Sequence, residues 1–301
     1  GVVSPKRPGL ELRDYVKAQI FGALFGRDYH GCGSVGTGAG IEQRECGQSL
    51  SFDILFAQTP EAASFSPREL QKINRADLVV KNGVGLEPVL DELIAAGDNK
   101  HIEVIDTSRG IDLLETFRET GDGENGKKEG HAGNDPHIWL DPQNAIIQAQ
   151  NIRDAFVARD PANADFYKNN TERLIDELWE LDQELQWEVA KFSRKDFVAF
   201  HPAFQYFAKR YGLRQVAVIE EFPGKEPSPR YISDVIKIIK DRKVQVIFSE
   251  PQFSPRIVEV IARDLGLSVY KLDPLETGDP QKDSYISRMQ NNLETLKAAL
   301  Q

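Results

Sequence analysis

The chain has 301 residues and a formal net charge of −10, because 47 acidic side chains outnumber 37 basic ones. This length allows about two domains, and the acidic balance argues against a nucleic-acid partner while permitting a bound cation. The sequence contains no apolar run of the eighteen or so residues that a membrane helix needs, and it begins at Gly1 without a signal-peptide pattern, so we expect a processed or trimmed chain.

The first fifty residues give few structural signals. Cys32 and Cys46 lie in a glycine-rich segment, and two cysteines alone leave both a disulfide and two free thiols open, although we favour the disulfide. The segment 31–36 matches the dinucleotide-binding pattern G-x-G-x-x-G, but no predicted strand precedes it. We therefore expect a loop rather than a nucleotide site.

Strand and helix patterns alternate in the next part of the chain. Apolar runs bounded by turn residues predict strands, and serine, proline and glycine signals mark the ends of the helices between them. Such alternation implies a parallel sheet covered by helices, which we interpret as a first lobe. The predicted strands are 52–57, 77–82 and 101–106, and the predicted helices are 66–75 and 87–96.

One histidine, His137, lies between two Asp-Pro pairs and just before a predicted helix. Asp141 fits the N-cap of that helix and Pro142 its first position, while Pro136 favours extended backbone before the histidine. The alternation in 137–140 predicts a short strand. A single histidine in this setting is more often a buried or capping residue than a ligand, so its role depends on what the rest of the chain brings to it.

The longest helical pattern begins after Asp160, at Pro161, and extends to about Phe192. Its apolar residues recur at helical spacing, and 32 positions at 1.5 Å each would span ~48 Å. We interpret it as a strut between two lobes rather than a coiled-coil dimer helix, because the repeat fades within about four heptads and Trp179 and Trp187 favour packing on a larger body. The predicted division is a first lobe 1–160, a linking helix 161–192 and a second lobe 193–301.

The second lobe repeats one construction, in which an apolar strand is followed by a polar residue and a proline. His201, Glu250 and Asp273 follow the predicted strands 197–200, 244–248 and 269–272. In an open α/β sheet, ligands bind outside the carboxyl ends of the strands, so we expect these three side chains to point into one crevice. Glu250 and Asp273 are also common turn residues, and we assign Glu250 a helix-start or supporting role.

These residues suit a metal ion. The imidazoles of His137 and His201 with the carboxylate of Asp273 form a ligand set for a borderline divalent cation, zinc first and manganese second. No HExxH arrangement, nucleophile elbow or phosphate-binding loop occurs in the sequence. The pattern therefore favours a binding protein over a metal-dependent hydrolase that would use the same histidines.

Five ordered stretches resemble the signature segments of the zinc/manganese solute-binding proteins of bacterial ABC importers, a group that includes adhesin-type metal-binding lipoproteins. The likeness runs from about Thr59 to the C-terminus. It implies two α/β lobes joined by a long rigid helix, with the metal between the lobes, and it places His137, His201 and Asp273 on three of four ligand positions. The stretches are 134–142, 199–204, 223–228, 248–254 and 272–275.

The fourth ligand position departs from the family pattern. The family has a histidine two residues before an aromatic, and here Ala63 occupies that position, with Glu61 as the nearest replacement. His30 or a water molecule are the alternatives. The loop 121–133, which is often histidine-rich in zinc-importing members, holds only His131, which we expect to be solvated.

The resemblance implies a monomeric, non-enzymatic receptor outside the cytoplasm, membrane-anchored before processing, that captures zinc or manganese and delivers it to a membrane permease. A hydrolase using the same histidines and a surface adhesion protein with a structural metal are the alternatives. Both imidazoles must be neutral to bind a metal, so affinity is predicted to fall as the pH drops through about 6.5.

Overall fold

The computed structural model describes residues 54–56, 67–117, 133–220, 227–253, 256–276 and 284–301. They form two parallel sheets flanked by helices and connected through one long helix, which confirms the predicted α/β fold class. Among these residues, no helix combines the length and the apolar character that crossing a bilayer requires.

The first sheet has three parallel strands in the order β1-β2-β3. The strands are β1 (Ile54–Phe56), β2 (Leu78–Lys81) and β3 (Glu103–Asp106), and the helices between them are α1 (Pro67–Arg75) and α2 (Pro88–Ala96). Gly97 ends α2 as predicted, and its N–H donates to the Leu93 carbonyl at 2.9 Å. The turn after β2 requires glycine at Gly83, where φ is +85° and a Cβ would lie 2.1 Å from the Asp106 carboxylate.

The segment after His137 is a 3-10 turn, Ile138–Leu140, so the predicted short strand is wrong. All three of its side chains are buried. The helix that follows, α3 (Pro142–Arg159), starts as predicted, because the Asp141 carboxylate accepts a hydrogen bond from Gln143 N at 2.9 Å.

The long predicted helix is a 3-10 turn, Pro161–Asn163, followed by α4 (Ala164–Ala190). Its 27 residues span about 40 Å, and its apolar stripe is buried against α3 and against the last helix, α8 (Tyr285–Leu300). The predicted packing of the tryptophans is wrong: Trp179 is 45% exposed and Trp187 70% exposed. The Lys191 ammonium lies 4.9 Å from the Trp187 ring centroid.

The second sheet has four parallel strands in the order β5-β4-β6-β7. The strands are β4 (Asp196–Ala199), β5 (Arg214–Val218), β6 (Val246–Ser249) and β7 (Ser268–Lys271), and the helices among them are α5 (Gln205–Tyr211), α6 (Pro229–Arg242) and α7 (Arg256–Leu265). Ser228 caps α6, because its hydroxyl accepts from Tyr231 N at 3.2 Å.

One hydrophobic core continues from the first sheet through α3 and α4 to the second sheet. It includes Leu78, Phe156, Leu178 and Phe248, each fully buried, and burial of each such side chain contributes about 1.5–3 kcal/mol. The two lobes therefore share one apolar core and are not connected by a flexible linker alone. The exact domain boundaries at residues 160 and 192 stay a prediction.

Candidate metal centre

The two predicted histidines meet in the structure, and a glutamate joins them. His137 Nε2 lies 3.3 Å from His201 Nε2, and Glu276 Oε1 lies 3.2 Å from each of these nitrogens. All three side chains are buried. Three potential ligand atoms of a metal ion therefore form a nearly equilateral triangle.

The orientation of His137 is fixed by Asp135, two residues before it. One oxygen of this buried carboxylate, Oδ1, accepts both the backbone N–H of His137 at 3.0 Å and the ring Nδ1–H at 2.6 Å. The 3-10 turn that follows keeps the local backbone compact, with Ile138 N donating to the Pro136 carbonyl at 2.8 Å. Since Nδ1 is engaged, Nε2 is directed into the centre.

His201 is held in the same way from the second lobe. It follows β4, and Glu250 follows the neighbouring strand β6, so the carboxyl ends of two parallel strands bring them together. Glu250 Oε1 accepts the backbone N–H of His201 at 3.1 Å and its ring Nδ1–H at 2.6 Å. Glu250 thus orients His201, which agrees with the second of the two roles, helix start or support, that the sequence suggested for it.

Glu276 is presented by a turn after β7. Leu275 has a left-handed backbone with φ of 60°, which is uncommon for a branched side chain, and Asp273 Oδ1 stabilises it by accepting from Leu275 N at 2.8 Å. The Pro274 carbonyl accepts from Trp139 Nε1 of the first lobe at 2.9 Å. This turn directs the Glu276 carboxylate towards both histidines.

Asp273, the predicted carboxylate ligand, does not join the triangle. Its Oδ2 accepts from Arg288 Nε at 2.7 Å and from the second guanidinium nitrogen of the same arginine, and its backbone N–H donates to Asn292 Oδ1 at 2.9 Å. The carboxylate is therefore occupied by an ion pair with α8 and by the turn that it stabilises. In this structure, Glu276 takes the place beside the two histidines that was expected for Asp273.

Sequence reasoning missed Glu276 because the motif Asp-Pro-Leu-Glu contains two acidic residues and the first follows the strand directly. The left-handed backbone of Leu275 turns Glu276, rather than Asp273, towards the two histidines. A leucine gives no sequence signal for that conformation. Glu61, His30 and His131 lie outside the described residues, as do Cys32 and Cys46.

Hydrogen bonds between the lobes surround the centre. Gln205 Nε2 on α5 donates to Asp135 Oδ2 at 2.8 Å, and the Tyr206 hydroxyl donates to the Asp135 carbonyl at 3.0 Å. Burial raises the pKa of Tyr206 to about 12, so the hydroxyl keeps its proton. Together with the bond from Trp139 to Pro274, these contacts fix the position of one imidazole relative to the other.

The electrostatics favour positive charge at the centre. Burial lowers the pKa of His137, but the charge and hydrogen bond of Asp135 and the bond to Glu276 outweigh it, so the net pKa is raised. Burial also lowers the pKa of His201, but Glu250 and Glu276 hold it well above its usual value. Burial raises the pKa of Glu276, but the two histidines hold it well below its usual range. Protons therefore compete with a cation for the same two imidazole nitrogens.

The triangle fits zinc. Ligands at 2.0–2.1 Å from a tetrahedral zinc ion lie about 3.3–3.4 Å apart, close to the 3.2 and 3.3 Å separations of the three atoms. Two imidazole nitrogens and one carboxylate oxygen are also ligands that zinc commonly takes. Little movement of His137, His201 and Glu276 is needed to place three corners of a tetrahedron around one ion.

The family model described as zinc-uptake complex component A, periplasmic (ZnuA), matches residues 55–299. The chain belongs to the ZnuA family. The high-affinity zinc uptake system protein ZnuA of Bacillus subtilis is 31% identical over 256 residues, which cover 82% of this chain and 80% of that protein. The recognised resemblance is thereby confirmed.

Two further comparisons extend the ZnuA assignment. The zinc-binding lipoprotein AdcA of Streptococcus pneumoniae is 30% identical over 258 residues, or 83% of this chain and 52% of AdcA, so the chain spans about half the length of that relative. The solved structure of a mutant of the laminin-binding adhesin Lmb from Streptococcus agalactiae matches with a TM-score of 0.75 and 27% identity, covering 95% of this chain and 97% of Lmb.

Proposed function

We propose that this chain is an extracytoplasmic receptor that captures a zinc ion between its two lobes and delivers it, as a monomer, to the membrane permease of an ABC importer. The observation that supports this most is the triangle of His137 Nε2, His201 Nε2 and Glu276 Oε1, which joins one imidazole from each lobe. Membership of the ZnuA family supports the same function. Manganese is the alternative cargo, since carboxylate oxygens suit it.

The capture step follows from the two carboxylates behind the histidines. Asp135 and Glu250 each accept an Nδ1–H, which fixes the tautomer that leaves Nε2 for the metal and makes that nitrogen more basic. Because the side chains are already oriented and buried, binding orders few additional groups. With Glu276, three carboxylates surround the ion, so a divalent cation is favoured and an anion is rejected.

Release of the bound ion would depend on movement of the two lobes relative to each other. His137 belongs to the first lobe, whereas His201 and Glu276 belong to the second. Any separation of the lobes therefore removes one ligand from the ion and exposes the others to water. A permease that draws the lobes apart would convert tight capture into release without chemical modification of the chain.

We propose Glu61 as the fourth ligand of the ion, with water or His30 as the alternatives. If Glu61 is a ligand, Glu61→Ala should weaken zinc binding by at least about tenfold, or about 1.4 kcal/mol, and Ala63→His should strengthen it. If Glu61→Ala binds zinc like the parent while His137→Ala loses it, the centre has three protein ligands or takes a fourth from the first fifty residues.

The ZnuA family consists of substrate-binding receptors. A hydrolase would instead need an open coordination position with an activated water and a base. We therefore expect no hydrolytic turnover of esters or phosphoesters with zinc bound. Metal-dependent cleavage that disappears in His201→Ala would contradict the receptor function.

The decisive test is zinc binding to the metal-stripped chain. Titration should reach one zinc per chain, and elemental analysis of protein purified without added metal should find zinc. His201→Ala should weaken binding by at least about 100-fold, because even outer-shell partners of a ligand contribute 10–100-fold. His101→Ala is the matched control, since that histidine is exposed and precedes the amino end of β3. Equal zinc affinity in both variants would refute the proposal.

A further inference from the structure

Two glutamines stand behind the centre, one on each side. Gln205 Nε2 donates at 2.8 Å to Asp135, the carboxylate that holds His137. Gln252 Nε2 donates at 2.8 Å to Glu250, the carboxylate that holds His201. Each glutamine thus supports the partner of one imidazole, and the two form a natural matched pair.

They differ in their second contact. Gln205 Nε2 also donates to the backbone carbonyl of Glu115 at 3.3 Å, away from the ligand atoms. Gln252 Nε2 instead reaches Glu276 Oε2 at 3.4 Å, in addition to its short bond to Glu250. Its amide therefore lies between two buried carboxylates, one of which belongs to the triangle.

The orientation of the Gln252 amide is dictated by these neighbours. Only the NH2 group can face two carboxylate oxygens, because the amide oxygen would be repelled by both. The Gln252 Oε1 atom is consequently buried without a hydrogen-bond partner among the described residues. Buried polar atoms of this kind are rare and call for a reason, and the bridge between Glu250 and Glu276 supplies one.

The bridge determines how Glu276 faces a metal. Its Oε1 lies 3.2 Å from both imidazole nitrogens, while its Oε2 is directed to Gln252. Glu276 therefore offers one oxygen rather than two. A single-oxygen carboxylate keeps the coordination number low, as tetrahedral zinc prefers, whereas a two-oxygen carboxylate suits ions such as manganese that take more oxygen ligands.

We propose that Gln252 is a specificity-determining residue that holds Glu276 as a single-oxygen ligand and so favours zinc over manganese. This inference rests on the proposed function, since it needs an ion bound at the triangle. Gln252 acts through Glu276 and does not itself contact the ion. Without the Gln252 amide between Glu250 and Glu276, the Glu276 carboxylate could offer both oxygens to the ion. The preference for zinc over manganese would then be smaller.

The test compares Gln252→Leu with Gln205→Leu. Dissociation constants for zinc and manganese are measured by chelator competition on the metal-stripped chain, and the visible spectrum of the cobalt(II)-loaded chain reports coordination geometry. In Gln252→Leu the manganese dissociation constant divided by the zinc dissociation constant should fall by at least about tenfold, which is within the range of outer-shell effects. The intense visible bands of tetrahedral cobalt(II) should also weaken. Gln205→Leu should weaken both metals alike and keep the tetrahedral spectrum.

An unchanged ratio with a tetrahedral cobalt spectrum in Gln252→Leu would overturn the inference, as would an equal narrowing in Gln205→Leu. If Gln252→Leu does not fold, Gln252→Met supplies a donor-free side chain of nearly the same length. Failure of the proposed function is distinguishable, because then the parent chain itself would bind zinc without dependence on His201.

Discussion

Replacement of Glu250 by glutamine is expected to weaken zinc binding although Glu250 does not face the metal. Three N–H groups converge on this carboxylate: the backbone and ring N–H groups of His201, and the Gln252 amide. Glu250→Gln keeps the volume but places an NH2 group where an acceptor is needed, so one donor would face another donor. It also removes a negative charge that raises the pKa of His201.

The expected loss is near the upper end of the range for outer-shell partners. Such changes lower metal affinity by about 10–100-fold, or about 1.4–2.7 kcal/mol. Glu250 is 2% exposed, so water cannot replace the lost acceptor, and we expect about 100-fold. The loss should be smaller at low pH, because the less basic His201 of the variant competes less strongly for protons, and it should reach its full size at higher pH.

The assay is competition for zinc between a chelator of known affinity and the metal-stripped chain, at several pH values. Glu259→Gln is the matched control, because it makes the same chemical change at an exposed site on α7. Thermal melting without metal confirms that both variants fold. A dissociation constant of Glu250→Gln within about twofold of the parent, in a folded variant, would refute the reasoning.

Three further predictions follow from the centre. Zinc at 100 times its dissociation constant should add about 2.7 kcal/mol to the free energy of unfolding, and an unchanged melting midpoint in a verified metal-free sample would contradict this. Zinc affinity should reach its maximum at a pH above the raised pKa values of His137 and His201, and it should fall as the pH drops through those pKa values. A fall in affinity centred at or below pH 6.5 would show that these two pKa values are not raised. Asp273→Asn should destabilise the fold by about 1–3 kcal/mol through its ion pair with Arg288, yet leave zinc affinity within about threefold of the parent; a loss as large as in Glu276→Gln would restore Asp273 as a ligand.

The metal-free chain should show the opposite pH trend. The pairing of Glu276 with the protonated histidines stabilises the fold in full between pH 4.5 and 6.5, where Glu276 is charged in both states and the histidines are protonated in both. That stabilisation is lost as the pH rises through the raised histidine pKa values. Melting curves of the metal-stripped chain at about pH 5.5 and about pH 8.5 check the sign.

The sheets were predictable because each strand is a short apolar run bounded by turn signals. The pair Asp141-Pro142 also located a helix start correctly, since capping is a local interaction. The segment after His137 was not predictable in this way, because its 3-10 turn depends on the Asp135 side chain and on burial of all its residues. The exposure of Trp187 likewise reflects which face of α4 the lobes cover, which no local pattern reveals.

Two of the three residues of the triangle, His137 and His201, were predictable from the sequence, and Glu276 was not. His137 and His201 follow motifs that place them at the carboxyl ends of strands or at a helix start, and topology brings such positions together. The choice between Asp273 and Glu276 depended on a left-handed leucine and on an arginine from the last helix, which is a long-range contact. Without knowledge of that contact, the sequence does not show which of two carboxylates three residues apart faces the histidines.

The most direct measurement is the anomalous scattering of zinc in crystals of the zinc-loaded chain. We predict one strong peak within bonding distance, about 2.0–2.2 Å, of His137 Nε2, His201 Nε2 and Glu276 Oε1, with Asp273 still paired to Arg288. A peak bound by Asp273, or zinc located away from both histidines, would contradict the assignment of this centre.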